Sequence, residues 1–181
     1  MRRTLLVSIA IALVAVSTAA YAQIATNSST ARDTTTFTAT AGVSNNIPAG
    51  LTLASTASSH GAALETYLPT APNVGDRIYI HAFVKNTNSS STLVPLVEII
   101  NVTDASGKVV YQTSFPGGSE PIYLKTGVSW ETTLFWDTSV PFDGITPQSG
   151  TYHVSVGINF EAEGSQPAFT LSTQSDVTLS S

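Results

Sequence analysis

The sequence predicts an all-β protein, an antiparallel β-sandwich of immunoglobulin-like or jelly-roll type with an N-terminal extension strand. Six or more short segments alternate apolar and polar residues with the period of two that a half-buried strand requires. Turn-forming Gly, Pro and Asn separate them, with 12 Gly and 9 Pro in 181 residues. No window holds the 3.6-residue period of an amphipathic helix. The stretch ASSHGAALETYL, residues 57–68, offers one helical turn at most.

Residues 1–22 are expected to be a cleaved Sec-type signal peptide. Arg2 and Arg3 provide a basic start, Leu5–Val16 an apolar run, and Ala20-Tyr21-Ala22 a small-x-small cleavage signal. The run is shorter than the roughly 20 residues a bilayer span needs. Residues 23–46 form a Thr/Ser-rich segment in which Phe37, Ala39, Ala41 and Val43 alternate with polar neighbours. Residues 47–181 then supply one sandwich domain. Its first part, to Asp76, reads as loop, broken by Pro48, Gly50, Gly61, Pro69, Pro72 and Gly75.

Strand signals follow. In RIYIHAFVKN, Ile78, Ile80, Ala82 and Val84 share one face, and Tyr79, His81 and Phe83 the other. LVPLVEIINV, residues 93–102, is apolar almost throughout, as a strand covered on both faces would be. Asp104–Lys108 is a turn, and VVYQTSF leaves it to complete a hairpin, with Val109, Tyr111 and Phe115 on one side. VSWETTLFWD points Val128, Trp130, Thr132, Leu134 and Trp136 inward. TYHVSVGINF does so with Tyr152, Val154, Val156, Ile158 and Phe160, and the last segment with Phe169, Leu171, Val177 and Leu179. Burying Trp130, Trp136, Tyr152 and Phe160 contributes about 1.5–3 kcal/mol each.

Composition excludes several functions. Only 10% of residues are charged, acidic residues outnumber basic ones twelve to seven, and no basic patch suits nucleic acid or an anionic membrane. The absence of Cys removes disulfides, thiol catalysis and Cys-zinc sites together. No G-x-S-x-G, H-E-x-x-H or acidic calcium loop occurs, and no Gly-rich loop leads into a helix, so neither an enzyme nor a cofactor site is expected. His81 and His153 lie in mid-strand, and His60 lies in a small-residue loop with no neighbour to act on. Glu161 with Glu163, or Asp137 with Asp143, offer at most a weak Ca²⁺ site, and solvated acids are the plainer reading. Asn27, Asn88 and Asn101 each begin an N-glycosylation triplet, relevant where the host modifies exported proteins, as many archaea do.

Two stretches resemble known families. Thr36-Phe37-Thr38-Ala39 and Gly42, followed by Pro72, Gly75-Asp76 and Asn86-Thr87-Asn88, resemble the TasA/camelysin biofilm-fibre proteins and the archaeal bundling-pilus subunits. That resemblance implies an extracellular filament in which each copy's N-terminal strand completes its neighbour's sheet. Its donor residues would include Ile24, Thr34, Thr36, Phe37, Ala39, Ala41 and Val43. Further on, Gly107, Val109, Trp136, Pro147, Gly150 and Tyr152 are similar to the C-terminal half of BsuPI-type proteinase inhibitors, which bears on fold more than on inhibition.

The physics of the leading segment agrees with donation. A free Ser/Thr/Ala ribbon loses about 1–2 kcal/mol per ordered residue. Along another copy's open edge it regains a ladder of hydrogen bonds and cross-strand contacts of roughly 0.2–1 kcal/mol each. The expected function is thus a structural subunit of an extracellular pilus-like filament for adhesion or biofilm cohesion. Its partners would be further copies of itself, with lateral bundling between filaments and no membrane contact once the leader is cleaved. Two other readings of residues 23–46 stand beside this one, a strand paired within its own subunit and a flexible tail. The alternative function is a monomeric secreted immunoglobulin-like module, a protease inhibitor or a cell-surface or carbohydrate-binding domain, with Phe115 and Phe142 as exposed aromatics. A camelysin-like metallopeptidase lacks a recognisable ligand set.

Overall fold

The computed structural model describes residues 38–41, 47–116, 121–161, 163–164 and 167–181. Nine strands run in chain order: β1 Thr38–Ala41, β2 Leu51–Ser59, β3 Ala62–Pro69, β4 Arg77–Asn86, β5 Val94–Asp104, β6 Val109–Pro116, β7 Val128–Asp137, β8 Gly150–Glu161 and β9 Phe169–Leu179. They form two antiparallel sheets, of order β1-β7-β4-β3-β2 and β6-β5-β8-β9. No helix occurs among the described residues.

The alternating rows of the two sheets meet in one core. Ile78, Ile80 and Val84 of β4 and Trp130 and Trp136 of β7 come from the larger sheet. Ile100 and Val102 of β5 and Val154, Val156, Ile158 and Phe160 of β8 come from the smaller one. Trp136 meets Tyr152 edge-on, with ring centroids 5.2 Å apart. Towards β9 the packing turns polar. Ser55 and Ser175 hydroxyls are 2.5 Å apart and those of Thr66 and Thr173 2.6 Å apart, each satisfying the other inside the sandwich.

Three buried polar residues pin the connections. Asn86, fully buried, donates from Nδ2 to the carbonyls of Ser91 and Leu124 and accepts from the Asn88 amide. It thereby ties the β4–β5 crossing to the segment before β7. The Thr138 hydroxyl accepts from the Gly75 amide and donates to the Asp76 carbonyl, holding the turn before β4. The Tyr152 hydroxyl donates to the Gln148 carbonyl and accepts from its amide, both at 2.8 Å, which fixes the approach to β8.

Several expectations need correction. Residues 51–69 are not loop and contain no helical turn; they form the β2–β3 hairpin. His60 and Gly61 are its two loop residues, at φ 52° and 75°, the left-handed pair that a tight hairpin needs. Asp143-Gly144, at φ 50° and 75°, repeats the device between Phe142 and Ile145. On β6 the inward residue is Val110 and not Val109, because a register shift at Val102/Thr103 inserts an extra residue there. β5 is not covered on both faces either: Glu98, Ile100 and Val102 are buried, whereas Leu96 is exposed and Val97, Ile99 and Asn101 are half-buried.

Gly61 offers a direct test. A Cβ there would lie 2.5 Å from Asn88 Cβ, on top of the positive φ, whereas Gly144 has nothing within 4 Å. Gly61→Ala is expected to destabilise by about 2–4 kcal/mol and Gly144→Ala by about 1–2 kcal/mol, read from urea unfolding midpoints.

Candidate functional site

The edge of the larger sheet formed by β1 and β7 is where the donor expectation can be examined. β7 is ten residues long, and β4 pairs with it from Ser129 to Asp137 on one side. On the other side β1 covers only four positions: Thr38 opposite Glu131, Ala39 opposite Trp130, Thr40 opposite Ser129 and Ala41 opposite Val128. Among the described residues, Thr132–Asp137 have no strand neighbour there. The Tyr111 hydroxyl of β6 reaches across the sandwich to the Phe135 carbonyl at 2.9 Å. Of the expected donor residues, Ala39 and Ala41 are thus placed on the β7 edge of their own chain. Ile24, Thr34, Thr36, Phe37 and Val43 lie outside the described residues.

β1 and β2 occupy opposite edges of one sheet, although only residues 42–50 join them. Four inter-strand steps of about 4.8 Å put those edges about 19 Å apart. Nine residues can span that distance. Even so, consecutive strands usually lie side by side, whereas here β7, β4 and β3 stand between β1 and β2.

Behind this edge lies a group the periodicity hid. Glu98 is fully buried on β5, opposite Phe115 on β6 and Ile158 on β8. Neither carboxylate oxygen has a hydrogen bond of ordinary geometry. Burial pushes its pKa up to about 8, an effect the Thr132 hydroxyl of the facing sheet offsets only in part. The core therefore holds Glu98 as the neutral acid. The sequence signal was a lone acid in the apolar run 93–102, flanked by Val97 and Ile99.

On the outer face of the larger sheet, His81 is also buried, with Nδ1 2.8 Å from the Thr133 hydroxyl. Its Nε2 lies 3.9 Å from Glu131 Oε2. Burial lowers the His81 pKa and raises that of Glu131, so the imidazole is neutral at pH 7 and the approach is not an ion pair there. His153 is half-buried, with Nδ1 2.7 Å from Asp176 Oδ1. His60, expected to stand alone, has its Nδ1 2.7 Å from the Ser59 hydroxyl and stacks on Phe169 at 4.6 Å.

The remaining candidates separate by position. Asn88 lies in the β4–β5 loop, where its Oδ1 accepts from the amide and hydroxyl of Ser90 within the triplet. Asn101 lies mid-strand between Gln112 and Ser155, with Oδ1 buried, a poor place for a glycan. Asn27 is outside the described residues. Asp137 is engaged by Ser139 and Arg77, Asp143 holds a turn, and Glu161 and Glu163 are exposed. Among the described residues no three His, Asp or Glu side chains come together to hold a metal ion. Phe115 and Phe142 are not exposed binding aromatics: Phe115 packs against the core, and Phe142 meets Tyr111 edge-on. Among the described residues the exposed rings are Tyr79 and Tyr123, 46% and 55% accessible.

No family model matches the chain, and no curated protein is significantly similar to it.

Glu98 makes stability depend on pH. Its pKa is higher in the folded than in the unfolded protein, about 8 against 4.5. Its stabilising contribution is complete below pH 4.5 and is lost as pH rises through 8, in total up to about 5 kcal/mol. His81 acts oppositely, its contribution falling away below its ordinary pKa of 6.5. Denaturant unfolding from pH 6.5 to pH 9 should therefore show falling stability. Glu98→Met should flatten that fall and be the more stable protein at pH 9.

Proposed function

We propose that the protein is a structural subunit of an extracellular filament in which the N-terminal segment of one copy takes the β7 edge of the next. The observation that carries this reading is the part-covered β7: among the described residues, four of β1 serve an edge of ten. A donated strand that keeps the β1 register sets Phe37 opposite Thr132, Thr36 opposite Thr133 and Thr34 opposite Phe135. Phe37 then continues the row that Ala39 and Ala41 begin opposite Trp130 and Val128. Pairing β1 with its own β7 and giving it to a neighbour use the same contacts, as in domain swapping. The TasA-like residues Gly75-Asp76 and Asn86-Thr87-Asn88 act in this body as loop anchors, through Thr138 and through the Asn86 side chain.

We also read the sandwich as immunoglobulin-like in type. Support comes from the pairing of β4 with β7 in one sheet and of β5 with β8 in the other, with the chain crossing between sheets at β4–β5, β6–β7 and β7–β8. A second support is the Tyr152 hydroxyl bonded back to Gln148, the corner found at the corresponding strand of such domains.

One observation favours the alternative, a monomeric secreted binding module. Tyr79 is exposed beside a depression of about 450 Å³ that also involves Asp76 and Arg77, a combination of ring and charge suited to a sugar or peptide.

Cysteine pairing separates the two, since the chain has no Cys of its own. Thr40 and Ser129 are opposite partners. Protein carrying only Thr40→Cys, mixed with protein carrying only Ser129→Cys and oxidised, should give a disulfide-linked heterodimer. A Thr40→Cys/Ser129→Cys double variant should give a ladder of covalent oligomers. An exclusively intramolecular disulfide in the double variant, with no heterodimer from the mixture, would leave the monomeric module.

A further inference from the structure

The far edge of the smaller sheet is built differently from the other strand ends. β2 has a register shift at Leu53/Ser55, and β6 has one at Val102/Thr103 and ends at Pro116. Shifts, prolines and charged side chains are how sheet edges discourage pairing with another chain. β9 has no shift and no Pro, and a single charge, Asp176. Its eleven residues pair with β8 at every position from Phe160↔Phe169 to Gly150↔Leu179, and nothing pairs with its outer side among the described residues. The open ladder stops at Leu179, because the amide and carbonyl of Ser180 are taken by Pro72 and Val74.

The sequence of β9, FTLSTQSDVTL, is close to symmetric about Gln174. Folded on that centre, Phe169 matches Leu179, Thr170 matches Thr178 and Leu171 matches Val177. Ser172 then matches Asp176, and Thr173 matches Ser175. Every match joins like with like or an acid with a hydroxyl, and no charge meets its own kind. Residues 169, 171, 173, 175, 177 and 179 line the inner face, while Thr170, Ser172, Gln174, Asp176 and Thr178 are exposed. Two antiparallel copies related by a twofold axis must present the same patch to each other. This strand satisfies that demand at every position.

We propose that β9 pairs with β9 of a second copy, antiparallel about Gln174, joining two four-stranded sheets into one of eight strands. The contact closes on itself and cannot propagate. It uses the edge opposite to the β7 side, and it does not depend on strand donation there. In a filament it would act as a lateral link between neighbours; without a filament it makes a dimer.

The register is the testable part. Opposed residues in an antiparallel pair have Cα atoms about 4.5–5.5 Å apart, within disulfide reach. Only residue 174 would face its own copy. Residue 172 faces 176, which leaves the two copies of 172 about 13 Å apart. Mild oxidation of the full chain carrying Gln174→Cys should give a single covalent dimer band, and Ser172→Cys should not. Charge gives a second readout. Ser172 stands opposite Gly157 in its own sheet, so a new side chain there meets none across the pair. Ser172→Lys, facing Asp176 of the other copy twice, should tighten the dimer about 2- to 30-fold in sedimentation equilibrium. Ser172→Asp should weaken it by a similar factor. Equal cross-linking at 172 and 174, or dimerisation indifferent to both charges, overturns the proposal. Since 174 reports only this contact and the 40/129 pair only the β7 edge, either can fail without the other.

Discussion

Hydrogen bonding at the margins of the two sheets is the constraint on which the rest of this molecule depends. Each inner strand finds partners on both sides, and two facing sheets hide their apolar rows, yet terminal strands keep outward amides and carbonyls that only water or another chain can satisfy. The chain meets this unequally. Irregular pairing protects β2 and β6. A four-residue strand covers part of β7. β9 is left straight and complete. The chain has no Cys to staple such margins. What the edges do therefore decides whether the molecule is a solitary domain or a component.

The interior is equally uneven. Around Trp130, Trp136, Tyr152 and Phe160 it is large, aromatic and closely filled. Toward β9 it becomes a row of paired hydroxyls, Ser55 with Ser175 and Thr66 with Thr173. Those pairs contribute little net energy, but they fix which residues of the two sheets can face each other, since a slip would bury unpaired hydroxyls. Glu98 departs from this rule. It is an acid accepted into the core with no hydrogen bond of ordinary geometry, at the cost of stability whenever it must ionise.

Much of this architecture was legible in the sequence, for definite reasons. β7, β8 and β9 alternate without interruption, so period alone placed their inward rows correctly from Val128 to Leu179. The β2–β3 hairpin was not legible. Its turn is His60-Gly61 and not the familiar Asn-Gly, and β2 is mostly Ser, Thr and Ala, whose alternation carries little contrast. Val110 was missed because a bulge changes which parity points inward. The burial of His81 and Glu98 was missed because an apolar pattern reports which face a residue occupies, not how completely its neighbours enclose it. At the candidate site, Ala39 and Ala41 were identified as strand residues, but the choice of β7 as their partner is a matter of topology that no local pattern encodes.

The separation between the first strand and its partner has a kinetic side. Ala39 pairs with Trp130, so about half of the chain lies between the two halves of that contact. Contacts of such range form slowly, because a large loop must close before they repay its entropy. β1, made before the other described strands, thus waits longest for a berth, while the hairpins β2–β3, β5–β6 and β8–β9 assemble from neighbours. During that interval a finished β7 from another molecule competes for it on equal chemical terms, and local concentration decides which one the strand meets first.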